Sequence, residues 1–591
     1  MTYLEKLQQI RNQMKADNIS AYIIPSADPH ISEYLPHHYK CIPFLSSFTG
    51  SAGTLVITED FAGLWTDFRY FEQATEQLEN SGFELVKQKV QHAPEYIQWL
   101  TAKIPSGGAI ASNEKLVSLL LGEQYTYEFS LKGISLLHKD YITPIWTDRP
   151  SLPNEKAFLI PDEFTGASVA EKIGAIREQL ESTGATSHLV SSLDDIAWIF
   201  NIRGKDVSYN PVVLGFAIID QDHAKLFIEE SKLNSQEKVE LLHSGVEVLN
   251  YSEIEDAIQN IHKNSIILLD PKRTCFAYAK LMPVSVRILK ETNPSTNFKA
   301  VKNHTELNNT RMAMLKDGVA ITRFLKWLSE NIGNINITEL SAAAQLRSYR
   351  AEQDGFVGDS FTTISAYKAH GALPHYGAST ESNSEIKAEG LFLLDSGGQY
   401  FYGTTDITRT IPMGQNSEEE ATDYTLVLKG MIDGCSTRFP KGTCGYQIDA
   451  ITRKPLWDYA LNYGHGTGHG VGYFLNVHEG PHTFNPTPTP VAIALGMITS
   501  IEPGIYRPGK HGIRIENLVT TISDVNNEFN EFYAFECLTI APINTKIVNT
   551  DLLEKGQIEW LNQYNQKVFD LLNPLLSEEE QDWLKSETKA I

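Results

Sequence analysis

From its first residues the chain alternates amphipathic helices with short apolar strands. Leu4, Leu7, Ile10 and Met14 recur at helical spacing and predict an N-terminal amphipathic helix. "AYIIPS" and "GTLVITED" read as buried strands, and "FRYFEQATEQLEN" reads as a helix. Residues 146–156, "WTDRPSLPNEK", are proline-rich and polar and predict a linker. The order of elements then repeats. "EKIGAIREQLESTG" predicts a helix, "SHLVSS" a strand, and "GFAIID" with "AKLFIEE" a hairpin. "ISAYIIPSADPHISEYL" and "ATSHLVSSLDDIAWIFN" are the best-matched pieces of the two blocks and suggest a duplicated α/β domain. At "VKNHTELNNTRMAMLKDGVAITRFLKWLSEN" a long amphipathic helix begins, with Met312, Leu315, Val319, Thr322 and Leu325 on or near one stripe. Helices and strand pairs follow to about residue 545, and "DLLEKGQIEWLNQYNQKVFDLLNPLL" predicts a docked helical tail. The pattern as a whole predicts an α/β (α+β) chain.

Composition narrows the function. Fifty basic against 73 acidic side chains leave a net charge of −23, which argues against binding to nucleic acid or an anionic membrane. No window approaches the apolar length needed to span a bilayer, and the N-terminal helix lacks the continuous apolar core of a signal peptide. The cysteines are Cys41, Cys275, Cys435, Cys444 and Cys537, with no CxxC spacing. A disulfide framework is not expected, and the chain reads as cytoplasmic.

Three stretches carry the chemistry. "GHGTGHGVGYFLNVHEGPH" sets His465, His469, His478 and His482 among glycines, whose missing Cβ permits close backbone approach. In "LFLLDSGGQYFYGTTDITRTIPMG" an apolar strand ends at Asp395, and a second strand runs through Asp406. A hairpin closing near Tyr400 would set the two aspartates opposite each other on one face, where they repel unless a cation or a proton lies between them. In "GMITSIEPGIYRPGKHGIRIENLVTT" Glu502 ends an apolar strand. By the period-two rule Arg514 and Glu516 share one face of the following strand, and Ile513 and Ile515 share the core face. Four carboxylates and one imidazole nitrogen suit two divalent cations, with Mn²⁺ favoured over a thiolate-type zinc site.

Two glycine-rich stretches are false leads. "GIYRPGKH" puts His511 where a phosphate loop needs Ser or Thr, and no register of "GHGTGHGVG" gives G-x-G-x-x-G.

The motifs "DSGGQYFYGTTDITRT", "HGTGHGVGYFLNVHEGP" and "IEPGIY…GIRIENL" resemble the metal-binding stretches of the aminopeptidase P family. That family belongs to the superfamily of methionine aminopeptidase, prolidase and creatinase, with the pita-bread fold. The resemblance covers the whole chain. It implies a creatinase-like domain I at 1–146, a creatinase-like domain II at 147–304, and a pita-bread metallopeptidase domain with a helical extension at 305–591. It implies an Xaa-Pro metalloaminopeptidase that acts through a hydroxide shared by two metals, most simply Mn²⁺, with Co²⁺ or Zn²⁺ as alternatives. The implied ligands are Asp395, Asp406, His469, Glu502 and Glu516, with Asp406 and Glu516 as bridges. Glu502 would also move a proton. His375 and His478 would bond the scissile carbonyl and the tetrahedral intermediate, His465 would line the proline pocket, and Arg514 would orient an acidic ligand. His482 is left as a surface or packing histidine. The implied partners are peptides with proline at position two and a second copy of the chain. Within the same fold the alternatives are a prolidase-like dipeptidase and a creatinase-like hydrolase; outside catalysis, the alternative is a pita-bread binding module.

Overall fold

The computed structural model describes residues 1–90 and 93–591. The chain divides into two compact units, Met1–Asp162 with Ala167–Ser295, and Glu163–Gly166 with Thr296–Ile591.

The first unit opens with the Tyr3–Ala16 helix, where Thr2 and Glu5 form a reciprocal capping box. Leu7, Ile10 and Met14 are buried, but Leu4 is 57% exposed, because it lies at the edge of the stripe the other three define. The helix expected over "FRYFEQATEQLEN" is a 3-10 turn, Phe68–Tyr70, followed by the shorter helix Phe71–Gln77. Two six-stranded sheets follow one plan. In the first, Ala21–Pro25 pairs antiparallel with Thr54–Thr58 and parallel with Ala109–Ser112. In the second, Ser187–Val190 pairs antiparallel with Gly215–Asp220 and parallel with Ile266–Leu269. The outer strands match in order and sense as well. The repeated order of elements in the sequence therefore corresponds to a repeated topology. The two sheets are joined at their helices, with Leu119 N–H donating to the Thr274 carbonyl at 2.8 Å and Phe276 N–H to Val117 at 2.7 Å. Residues 146–156 form neither helix nor strand.

The long helix of the second unit is His304–Asn331, capped by Asn303 and Glu306. Its buried face differs from the stripe expected. Val319 and Thr322 are buried, but Met312 is 45% exposed. Asp317 takes an inward position instead, bonded to Arg350 Nε at 2.7 Å and to the Tyr400 hydroxyl at 2.9 Å. A count of apolar residues passes over such a buried ion pair. A three-stranded antiparallel sheet orders Ile364–Tyr367, Leu391–Ser396 and Ile407–Pro412. A six-stranded sheet carries Gly468–Gly470, Ile498–Ile501 and Asn517–Asn526 side by side with their neighbours. The core between sheet and helices joins Ile501, Ile513, Ile515 and Leu518 to Val427 of the Glu418–Ser436 helix. Leu561, Tyr564, Val568 and Leu572 dock the tail helix, Lys555–Leu572, on the same core.

Candidate metal centre

Asp395 sits near the end of the fully buried strand Leu391–Ser396. Its register partner is Thr408, and the same register continues through Gln399↔Thr404 and Tyr400↔Gly403. The chain therefore reverses at Phe401–Tyr402, later than the reversal near Tyr400 expected from sequence. Asp406 is displaced by two positions from the point opposite Asp395, and a shift of two keeps it on the same face. Both carboxylates are buried.

The Gly468–Gly470 strand brings an imidazole to them. A Cβ on Gly468 would lie 1.8 Å from the Ser500 carbonyl oxygen, so only glycine allows this approach to the Ile498–Ile501 strand. The next residue, His469, is held by its N–H on Ser500 Oγ at 3.0 Å. Its Nδ1 donates to the Gly470 carbonyl at 2.9 Å, which leaves Nε2 as the nitrogen with a lone pair. That Nε2 lies 3.5 Å from an Asp406 oxygen and 3.4 Å from Glu502 Oε1. Glu502 is held by its N–H on the Thr467 carbonyl at 2.8 Å. Glu516 follows the Gly504–Arg507 and His511–Arg514 hairpin. Its N–H donates to the Thr408 carbonyl, and its Oε2 accepts from the Thr408 hydroxyl at 2.8 Å. Ligand atoms of Asp406, His469 and Glu516 all lie within 4.8 Å of one another.

The electrostatics follow from crowding. Burial, then the neighbouring Asp395 and Glu502, push the Asp406 carboxyl well above the usual carboxylate range. Burial, then Asp406, does the same to Glu516. Burial raises Glu502 to about 7, against the pull of Arg514. Arg514 donates from Nη2 to Asp395 Oδ2 at 2.6 Å and from Nη1 to the Tyr506 hydroxyl at 2.7 Å. Among the described residues, Asp395 Oδ1 and Glu516 Oε1 are buried without a hydrogen-bond partner. Oxygens of this kind, beside an imidazole nitrogen, are the donor set that a hard divalent cation takes up.

The remaining histidines are placed differently from one another. The His478 ring stands at 89° to that of His469, with centroids 4.5 Å apart. His375 lies in the turn after the Lys368–Ala372 helical turn. That turn is seated on the His511–Arg514 strand, where a Cβ on Gly512 would lie 1.6 Å from the Gly371 carbonyl oxygen. His465 Nε2 meets the Tyr506 hydroxyl at 2.7 Å, so a chain of bonds runs from His465 through Tyr506 and Arg514 to Asp395. His482 is a packing histidine: it is fully buried, with Nε2 near the Ile498 carbonyl and the Thr499 hydroxyl at 3.1 Å. The "GIYRPGKH" stretch forms a hairpin turn in which Arg507 and His511 both bond Asp423.

Sequence reasoning passed over Thr408, Ser500 and Tyr506. Thr408 shares a face with Asp406, and Ser500 with Glu502, by the period-two rule; that was the available signal. Tyr506 gave none.

Several comparisons bear on this arrangement. Residues 308–522 match the profile of metallopeptidase family M24, and 531–591 match the C-terminal region of that family. Residues 6–139 and 148–306 match creatinase/prolidase N-terminal domains. The chain is 37% identical over 585 residues to a probable Xaa-Pro aminopeptidase P of Neurospora crassa, covering 95% of this chain and 85% of that one. It is 36% identical over 612 residues to Xaa-Pro aminopeptidase 1 of Dictyostelium discoideum, covering 99% and 96%. The crystal structure of an X-prolyl aminopeptidase from Caenorhabditis elegans, described as a cytosolic enzyme with a di-nuclear active site, matches with a TM-score of 0.96 at 34% identity, over 100% of both chains.

Proposed function

Because the chain belongs to metallopeptidase family M24, among its Xaa-Pro aminopeptidases with creatinase/prolidase N-terminal domains, we propose that it removes the first residue from peptides with proline at position two. It is a metal-dependent hydrolase, and Asp395, Asp406, His469, Glu502 and Glu516 would hold two divalent cations. The observation that carries this reading is the ligand capacity of the site: buried Asp395 Oδ1 and Glu516 Oε1, without a hydrogen-bond partner among the described residues, and the cluster of Asp406, His469 and Glu516. Asp395 would serve one cation, His469 and Glu502 the other, and Asp406 and Glu516 both. When bound, the cations polarise the scissile carbonyl and make water a nucleophile at neutral pH. An oxygen-rich set with one imidazole supports Mn²⁺, with Co²⁺ or Zn²⁺ as alternatives.

The chain's own residues do the rest. Glu502 takes the proton of the attacking water and delivers it to the leaving proline nitrogen. His375 and His478 donate hydrogen bonds to the oxygen on which negative charge develops. Arg514 holds Asp395 in place through its bond at 2.6 Å. His465 lines the pocket for the proline ring. An Xaa-Pro bond has no N–H, so the site requires no acceptor for one. The five cysteines are free thiols, and the C. elegans relative is described as cytosolic, which supports a cytoplasmic setting. We also propose a homodimer, which light scattering tests; a monomer at all working concentrations would count against it.

The central test measures kcat on an Xaa-Pro peptide together with metal per chain. His375→Ala and His478→Ala should each lower kcat by about 10²–10³ and keep both metals, the usual result of removing a donor to an oxyanion. Full activity in protein shown by elemental analysis to hold no metal would sink the reading.

A further inference from the structure

Behind His478 lie three charged side chains that the proposed chemistry does not use. Glu479 follows His478 and opens the Glu479–Phe484 strand. Two lysines occupy its two oxygens, Lys299 Nζ on Oε2 at 2.8 Å and Lys302 Nζ on Oε1. Lys302 Nζ also donates to the Lys299 carbonyl at 2.8 Å. All three side chains are withdrawn from water, with exposures of 6% for Lys299, 0% for Lys302 and 2% for Glu479. Burial pushes the Lys302 pKa down, and Glu479 opposes that fall.

A buried ion cluster is a costly way to hold a strand, and apolar side chains of similar volume often do as well. Backbone pairing with Gly468–Gly470 already holds this one, through Gly470↔Glu479 and His469↔Thr483. The stretch just before it is held less regularly, by Val471 N–H on the Ile498 carbonyl at 3.2 Å, Gly472 N–H on the Asn476 carbonyl at 3.0 Å, and the Gln399 amide and Thr404 hydroxyl on the Leu475 carbonyl. Residues 471–478 form neither helix nor strand, and His478 is the last of them. The lysines approach from a separate segment that is itself tied down. Lys302 N–H donates to the Gly496 carbonyl at 3.1 Å, and Val301 bridges Met497. The clamp is therefore anchored at one end just before the Ile498–Ile501 strand and at the other on the residue next to His478.

We propose that Lys299 and Lys302 are positioning residues whose clamp on Glu479 fixes the strand end from which His478 is presented to the metal centre. This rests on the reading of His478 as a donor to the reacting oxygen.

Lys302→Met and Lys299→Met test it, each made in the wild-type and in the His478→Ala background. Either substitution leaves one lysine paired with Glu479, so the strand keeps a neutral buried pair. The readouts are kcat, KM, metal per chain and Tm. In the wild-type background kcat should fall about tenfold or more, with KM and both metals kept. With His478 already Ala the same substitution should change kcat by less than about twofold, because residues that act through one another are not additive. Equal losses in the two backgrounds, loss of metal, or full kcat in both lysine variants would overturn the positioning role. So would failure of both lysine variants to fold, since the clamp would then be part of the core. If His478→Ala alone kept full kcat, the reading of His478 itself would fall, an outcome distinct from additivity.

Discussion

Chelation turns the crowding of carboxylates into a measurable instability. Without cations, Glu502 is largely withdrawn from water near Asp395, and its pKa rises from an ordinary 4.5 to about 7, with desolvation the largest cause. Asp406 and Glu516 are pushed in the same direction. A carboxyl that holds its proton more tightly in the folded chain adds stability at low pH, fully present below its unfolded pKa. That contribution is lost as the pH rises through the folded value. For Glu502 the window runs from 4.5 to about 7, and at about 1.36 kcal/mol per decade of pH the loss is ~3 kcal/mol. With an unfolding entropy of about 2.1 cal/mol/K per residue, a unit the size of Thr296–Ile591 then loses about 5 °C. The assay is calorimetric Tm of chelated protein at steps across that window, beside chelated Glu502→Gln, which cannot ionise there. The wild-type Tm should fall relative to the variant as pH rises, and adding a divalent cation above the window should restore it. Parallel curves for the two proteins, or a wild type that gains on the variant with rising pH, would refute the charge reasoning.

Asp406→Asn and Glu516→Gln should each abolish turnover and deplete metal while circular dichroism stays native; near-normal turnover with two metals would remove them as bridges. Thr408→Val deletes the hydroxyl bonded to Glu516 Oε2, and it should weaken metal binding about 10–100-fold, read by titration against a chelator. His482→Ala should lower stability by about 1–3 kcal/mol and leave kcat intact, because that imidazole is packed in the core. Burial holds the His482 pKa down to about 4. Wild-type stability should therefore decline as pH falls from 6.5 to about 4, where the unfolded chain takes the proton first, and His482→Ala should flatten that part of the profile.

Much of the candidate site was legible because each acidic group stands in an apolar frame. "LFLLD", "ITSIE" and "GIRIEN" are strands in which a charge is out of place unless something pairs with it. The period of two put Ile513 and Ile515 into the core and Arg514 and Glu516 on the opposite face, as a local rule can. The repeated helix–strand–hairpin order was likewise visible, since local propensity and patterning set it.

Register and partnership were decided elsewhere. The position of the turn at Phe401–Tyr402 gave Asp395 Thr408 as its direct neighbour, and one or two residues of slip would have passed unnoticed in the sequence. The burial of His482, the exposure of Met312 and the inward place of Asp317 depend on what packs against each strand or helix. The clamp on Glu479 joins residues 177 positions apart, beyond the reach of any local pattern. The sequence by itself determined the kinds of element, the faces they bury and the ligand-rich stretches, because those follow from side chains a few residues apart. Only the tertiary structure decided which oxygens lack partners, which histidine is packed in the core and which charges sit behind the site, because those depend on distances that close only when separate segments pack together.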